Sequence, residues 1–201
     1  TSDTDLVLRV PPDELSSMER IMEAEGVSRS HPLVVVHPGC SMPARTYPWE
    51  MYSEVADLLI DDLGCQVVLT GDASEVELAD WVRARMRHSA RSVAGRVTFR
   101  QLAALITLAD LVVTNNTGPA HVAAAVKTPV VDLFALTNPP EQWGPWKVPH
   151  RLLYRQVPCA LCYSRSCPHQ QECLRGVSPD QVVSAARELL EDAAGGGAHD
   201  P

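Results

Sequence analysis

Short aliphatic runs that alternate with helical stretches restrict the fold of this chain more than any other feature. LVVVH at 33–37, QVVLT at 66–70, LVV at 111–113 and VVDLF at 130–134 have the length and β-branched content of strands buried on both faces. Apolar residues at helical spacing lie between them, over 49–59, 75–86 with Ser74 as the expected N-cap, 99–109 and 119–126. Strand and helix in turn predict an α/β fold, a doubly wound parallel sheet with helices on both faces. The chain has 201 residues, 45% of them hydrophobic, which is enough apolar matter for such a core. In a sheet of this kind ligands bind outside the carboxyl ends of the strands, so the turns at 38–45, 71–75, 115–121 and 134–143 are where chemistry is expected.

The most informative of these turns lies in TNNTGPAHVAAA, 114–125. Gly118 is expected to let the chain turn sharply and a ligand come close, and Pro119 suits the first helical turn. The helix start then offers free backbone N–H groups and the positive end of the dipole, with Asn116 and Thr117 beside it, which reads as a diphosphate cradle. The same residues also make a well-capped turn with no ligand.

A formal net charge of −8 argues against general nucleic-acid binding, which needs a basic footprint. No apolar run approaches the ~20 residues of a transmembrane helix, and TSDTDLVLRVPPDE has neither the basic nor the apolar segment of a signal peptide. The first 30 residues, with a strand-like LVLRV at 6–10 and a helix over 13–25, are expected to form an entry segment. One α/β domain is expected over 31–192, with its last helix at 179–192 and a frayed tail over 193–201.

HPGCSMPARTYP, TGDASEVELA, ADLVVTNNTGPAHVAAA and LFALTNPPEQWGPW, in that order, resemble the donor-binding half of glycosyltransferase family 9, the heptosyltransferases. The resemblance implies that 31–192 is a Rossmann-like nucleotide-sugar-binding domain, the C-terminal half of a GT-B enzyme, with 1–30 as an interdomain entry segment, and that the reaction is inverting transfer of a heptose-like sugar from a nucleotide-diphosphate sugar, ADP-heptose favoured. The acceptor, a saccharide or glycolipid, would be held by an N-terminal domain that this chain lacks. That domain also supplies the general base, so the chain alone is expected to bind donor without transferring it. No cofactor is implied for transfer. The resemblance further implies lipopolysaccharide biosynthesis and a cytoplasmic location, peripheral to the inner face of the cell membrane.

Carried over position by position, the resemblance places Ser41 and Arg45 in the first turn, with Arg45 as a phosphate ligand where the family usually has Lys. It places Glu75 on the ribose hydroxyls. The family's Asp-Ser/Thr-Gly-x-x-His pattern falls on Asn116, Thr117, Gly118 and His121, so an amide stands where a carboxylate is usual. The usual Phe-Gly-Pro-Thr reads Phe134, Ala135, Leu136, Thr137, an altered loop.

A Cys-rich insertion over 158–174 precedes the last helix and carries Cys159, Cys162, Cys167 and Cys173 as C-x2-C-x4-C-x5-C. The spacing fits a structural zinc or iron site, with His169 as a substitute ligand; disulfides and reduced thiols are the competing readings. Cys65 is expected in the core and Cys40 in the first phosphate-side turn. A dinucleotide oxidoreductase is disfavoured because PGCSMP carries one glycine rather than G-x-G-x-x-G. A GT-B-like sugar-nucleotide epimerase and a non-enzymatic, metal-stapled interaction module are the alternatives to transfer.

Overall fold

A computed structural model describes residues 5–195. The elements run α1 (Pro12–Ala24), β1 (Leu33–His37), a 3-10 turn at Pro43–Arg45, α2 (Trp49–Leu63), β2 (Gln66–Leu69), α3 (Val76–Arg85), β3 (Arg91–Ser92), α4 (Phe99–Leu108), β4 (Leu111–Asn115), α5 (Gly118–Val126), β5 (Val130–Leu133), α6 (Pro140–Trp143), β6 (His150–Leu153), α7 (Glu172–Arg175) and α8 (Pro179–Gly195). The six strands form one parallel sheet in the order β3-β2-β1-β4-β5-β6. The predicted Rossmann-like α/β architecture is therefore present.

Alternation along the strands sorts the core into two layers. Val34, Val36, Leu111 and Val113 point to the side of α2, α3 and α8, whereas Leu33, Val35 and Val112 point to the side of α1, α4 and α5. Local signals start and stop the helices where packing needs them. Thr98 and Gln101 close a reciprocal capping box at the start of α4, and Gly64, at φ 63°, ends α2 in the left-handed conformation that glycine adopts without penalty.

Several boundaries differ from the sequence expectation. The strand-like 6–10 segment is extended but outside the sheet; Leu8 donates its N–H to the Ala125 carbonyl. Helix α1 is buried against α4 through Met18 and Met22. Helix α8 reaches Gly195, so 193–195 of the expected tail are helical, while 196–201 lie outside the described residues. Strands β3 and β6 were not anticipated, being two and four residues long and sited at the sheet edges.

Tyr47 ties the first turn to the far end of the chain. Its ring is fully buried, edge-on to Tyr52 at 5.3 Å between centroids, and its hydroxyl donates to the Val177 carbonyl at 2.8 Å. Tyr47→Phe keeps the ring and strands that carbonyl, so urea unfolding should report a loss of about 1–2 kcal/mol. A loss within error would mean that another donor reaches Val177.

Candidate functional site

The strand order reverses direction between β1 and β4, and the crevice of a doubly wound sheet opens at such a switch point. A cavity of about 310 Å³ lies there, at the carboxyl ends of β1, β2 and β4. Ser41 of the first turn, Glu75 of the second, and Thr117, Gly118 and Pro119 at the start of α5 all line it. Five of the eight predicted ligand residues are thus brought together, and Arg45, Asn116 and His121 are not among the lining residues.

Glu75 is the N-cap residue of α3, one position later than expected, because Asp72 takes the Ser74 N–H and hydroxyl in a tight local turn. The Glu75 carboxylate bends back over the cavity floor. Its Oε2 accepts the Asp72 N–H at 2.9 Å, and a Cβ on Gly39 would collide with its oxygens, so only glycine permits that pose. Burial raises the Glu75 pKa above the usual carboxylate range.

His37, the last residue of β1, was not foreseen as part of the site. Its Nδ1 shares a proton with Thr70 Oγ1 at 3.0 Å and its Nε2 lies 3.6 Å from Glu75 Oε2. Burial pushes the His37 pKa down to about 4, so near neutrality this is a neutral imidazole facing an acid rather than an ion pair. An imidazole depressed from 6.5 contributes stability that is present above that value and is lost as pH falls through about 4. Denaturation midpoints of the parent should therefore fall over that interval more steeply than those of His37→Gln; parallel curves would show the histidine to be solvated.

At the opposite wall, Thr117 is the extended N-cap of α5 and offers its hydroxyl to the Cys40 thiol, whose pKa burial raises. Gly118 has no left-handed φ, and a Cβ there would meet no neighbouring atom, so the residue leaves open space at the helix start. His121 lies within the first turn of α5, half-buried, and burial lowers its pKa.

The two asparagines preceding Thr117 face different ways. Asn115 is completely buried: its Oδ1 accepts the Tyr47 N–H at 2.8 Å and its Nδ2 donates to the carbonyls of Pro38 and Gly39 at 2.8 and 3.2 Å. One side chain thereby fastens the first turn to the end of β4. Asn116 turns instead toward β5 and α6, donating to Asp132 Oδ2 at 3.2 Å and to the Trp143 carbonyl at 2.8 Å. Arg45 is held through Nε to Thr137 Oγ1 at 2.9 Å, and Thr137 donates onward to Asn138 Oδ1 at 3.0 Å.

Val97, Thr98, Phe99 and Leu102 add an apolar wall at the start of α4. Nothing in the strand-end argument pointed to them, because they follow the two-residue β3. The cavity is thus polarised: the carboxylates of Asp72 and Glu75 follow β2, and the positive end of α5 follows β4 on the other side of β1.

Among the described residues no three His, Cys, Asp or Glu side chains stand together as a metal-ligand set, so the structure lends no support to the expected zinc or iron site at Cys159, Cys162, Cys167 and Cys173. All four are free thiols, and two of them serve the backbone: Cys167 Sγ accepts the Gln171 N–H and Cys173 accepts that of Leu136. The segment instead braces both flanking turns. Arg165 O accepts the Ala44 N–H, Gln171 Nε2 donates to Pro43 O, and Leu161 and Tyr163 donate their N–H groups to Leu136 and Thr137.

Residues 7–172 match the family model described as glycosyltransferase family 9 (heptosyltransferase). The chain is 34% identical over 200 residues to lipopolysaccharide heptosyltransferase 3 of Escherichia coli (strain K12), covering 94% of this chain and 55% of that protein. The structure of E. coli ADP-heptose lps heptosyltransferase II superposes with a TM-score of 0.78 at 26% identity, over 94% of this chain and 54% of that one. A family 9 glycosyl transferase from Veillonella parvula DSM 2008 shares the fold at a TM-score of 0.83 and 23% identity, over 95% of this chain and 55% of its own. The chain spans about half the length of the curated relatives it matches.

Proposed function

Since the chain belongs to glycosyltransferase family 9, we propose that it is the donor-binding half of an inverting glycosyltransferase that moves a heptose-like sugar from a nucleotide-diphosphate sugar to a saccharide or glycolipid acceptor. Residues 31–192 would be the donor domain, with 1–30 leading in from an acceptor-binding domain. The polarised cavity carries this reading. Its anion-attracting end, at Gly118, suits a diphosphate, and the Asp72 and Glu75 end would repel one. Glu75 therefore takes the ribose hydroxyls, whose protons a carboxylate accepts, and the wall of Val97, Phe99 and Leu102 gives the base an apolar surface.

In transfer, an acceptor hydroxyl attacks the anomeric carbon from the face opposite the diphosphate and gives up its proton to a base on the other domain. The bond to the diphosphate oxygen breaks, and the charge that develops there is met by the α5 amides and by Arg45 swung from Thr137. No cofactor is needed for that step. The names of the relatives, lipopolysaccharide heptosyltransferases, favour ADP-heptose as donor and a lipopolysaccharide-type acceptor. No helix among the described residues is long and apolar enough to cross a membrane, and we place the enzyme at the cytoplasmic side, where nucleotide sugars are made.

Calorimetric titration of the chain with ADP, UDP, GDP and ADP-heptose tests the reading. Saturable binding of ADP and its heptoside, and weaker or no binding of the others, is the expected result. Binding of none would overturn it.

A further inference from the structure

Asp132 is next to last in β5, in register with Thr114 of β4, and wholly shielded from solvent. Its Oδ2 accepts one hydrogen bond from Asn116, its Oδ1 has no partner, and none of the ion pairs among the described residues includes it. A carboxylate with neither water nor a cation is strongly disfavoured, so this geometry suits the neutral acid. Burial pushes the Asp132 pKa up to about 7, with the Asn116 N–H acting the other way.

Asn116 spends both amide hydrogens, one on Asp132 and one on the Trp143 carbonyl, and the next two residues, Thr117 and Gly118, wall the cavity at the helix start. A carboxyl group thus stands 3.2 Å behind an amide at the position where the family resemblance leads one to expect a carboxylate. We propose that Asp132 is a positioning residue of this site: acting through Asn116 it sets the β4–α5 turn, and it takes up a proton from solvent as a nucleoside diphosphate binds in front of it. The linkage is electrostatic. An anion at the start of α5 disfavours a second negative charge behind the turn, so the bound state holds the O–H form. The uptake rests on the donor-site reading given above; the setting of the turn does not.

Other ionisable groups surround the turn. Tyr52 of α2 has a pKa raised well above its ordinary value by burial, with Asp132 contributing. His121 lies on α5, with His37 and Glu75 across the cavity, and α6 carries the exposed Glu141. On β6, Leu152 lies beside Asp132, and neighbouring Arg151 is engaged by Glu188 and Asp192. Asp132→Asn leaves all of these in place while removing the proton in question.

The test follows the Thr117 and Gly118 amide resonances, and the Asp132 carboxyl carbon, through a pH titration of the 201-residue chain and of Asp132→Asn. ADP binding is measured alongside by calorimetry in two buffers of different ionisation enthalpy. The carboxyl carbon and both amides should share an inflection near 7, and the amides should lose it in the variant. ADP binding by the parent should take up more protons than binding by Asp132→Asn, and its affinity should fall about threefold more from about pH 6 to about pH 8. ADP's own phosphate titrates in that window, so the difference between the two proteins is the reading. A carboxyl midpoint in the ordinary aspartate range, or amides that titrate alike in both proteins, would overturn the proposal even if the variant proved unstable. Equal proton uptake would overturn the linkage. If ADP binds neither protein, the donor reading falls and the uptake with it, while the amide titration still decides whether Asp132 sets the turn.

Discussion

Asn115→Ala should lower stability by about 3–5 kcal/mol and abolish nucleotide binding, although Asn115 does not line the cavity. Its side chain satisfies the Tyr47 N–H and the Pro38 and Gly39 carbonyls, all in the first turn. Each buried group left without a partner costs about 1–3 kcal/mol, and alanine leaves three. Gly39 is also the surface over which the Glu75 carboxylate lies, so a loosened first turn misplaces the acid proposed to hold ribose. Asn115→Asp should be little better, since its second oxygen would face two carbonyl oxygens with no proton to give. Urea unfolding with an unchanged m-value measures the effect. A loss below about 1 kcal/mol would mean that water replaces the amide.

Glu75→Ala should weaken ADP binding by about 1–3 kcal/mol, or roughly 5- to 150-fold, while leaving the unfolding midpoint nearly unchanged. The two effects separate because the half-buried carboxylate, whose burial raises its pKa, gains little from folding. It accepts the Asp72 N–H, which lies near solvent and can be rehydrated. Glu75→Gln keeps one carbonyl acceptor and should recover part of the affinity. Calorimetry on the three proteins decides the matter: equal affinities would reduce Glu75 to a local partner of Asp72.

Sequence showed most of the scaffold. Runs such as LVVVH and QVVLT became β1 and β2 because strands buried on both faces need unbroken aliphatic residues. Edge strands β3 and β6 escaped notice because Arg91–Ser92 is too short to show a pattern and His150–Leu153 is half-exposed. The site was less legible, for reasons of direction. Asn115 and Asn116 are chemically identical neighbours, and strand geometry sends them to opposite faces, one to fasten β1 and one to meet Asp132. His37 and Asp132 end or nearly end apolar runs and read there as strand residues. Only the three-dimensional crevice shows that one borders it and the other supports it. In the Cys-rich segment, the spacing of the cysteines carries no sign of the backbone contacts by which the segment braces the first turn.

The bracing of the first turn by the Cys-rich segment also sets when the site can come into being. Pro43 and Gln171 are 128 positions apart, and Tyr47 and Val177 are 130 apart. At about 5–20 residues per second a ribosome needs roughly 10 s to span that interval. For that time β1 and its turn have Asn115 among their distant ties but not Gln171 or Val177, and the sheet can assemble before the cavity is shaped. Competence to hold a nucleotide is therefore acquired only once residues 165–177 have joined the first turn, and a nascent chain stalled before Arg165 would lack both these braces and the α8 side of the core.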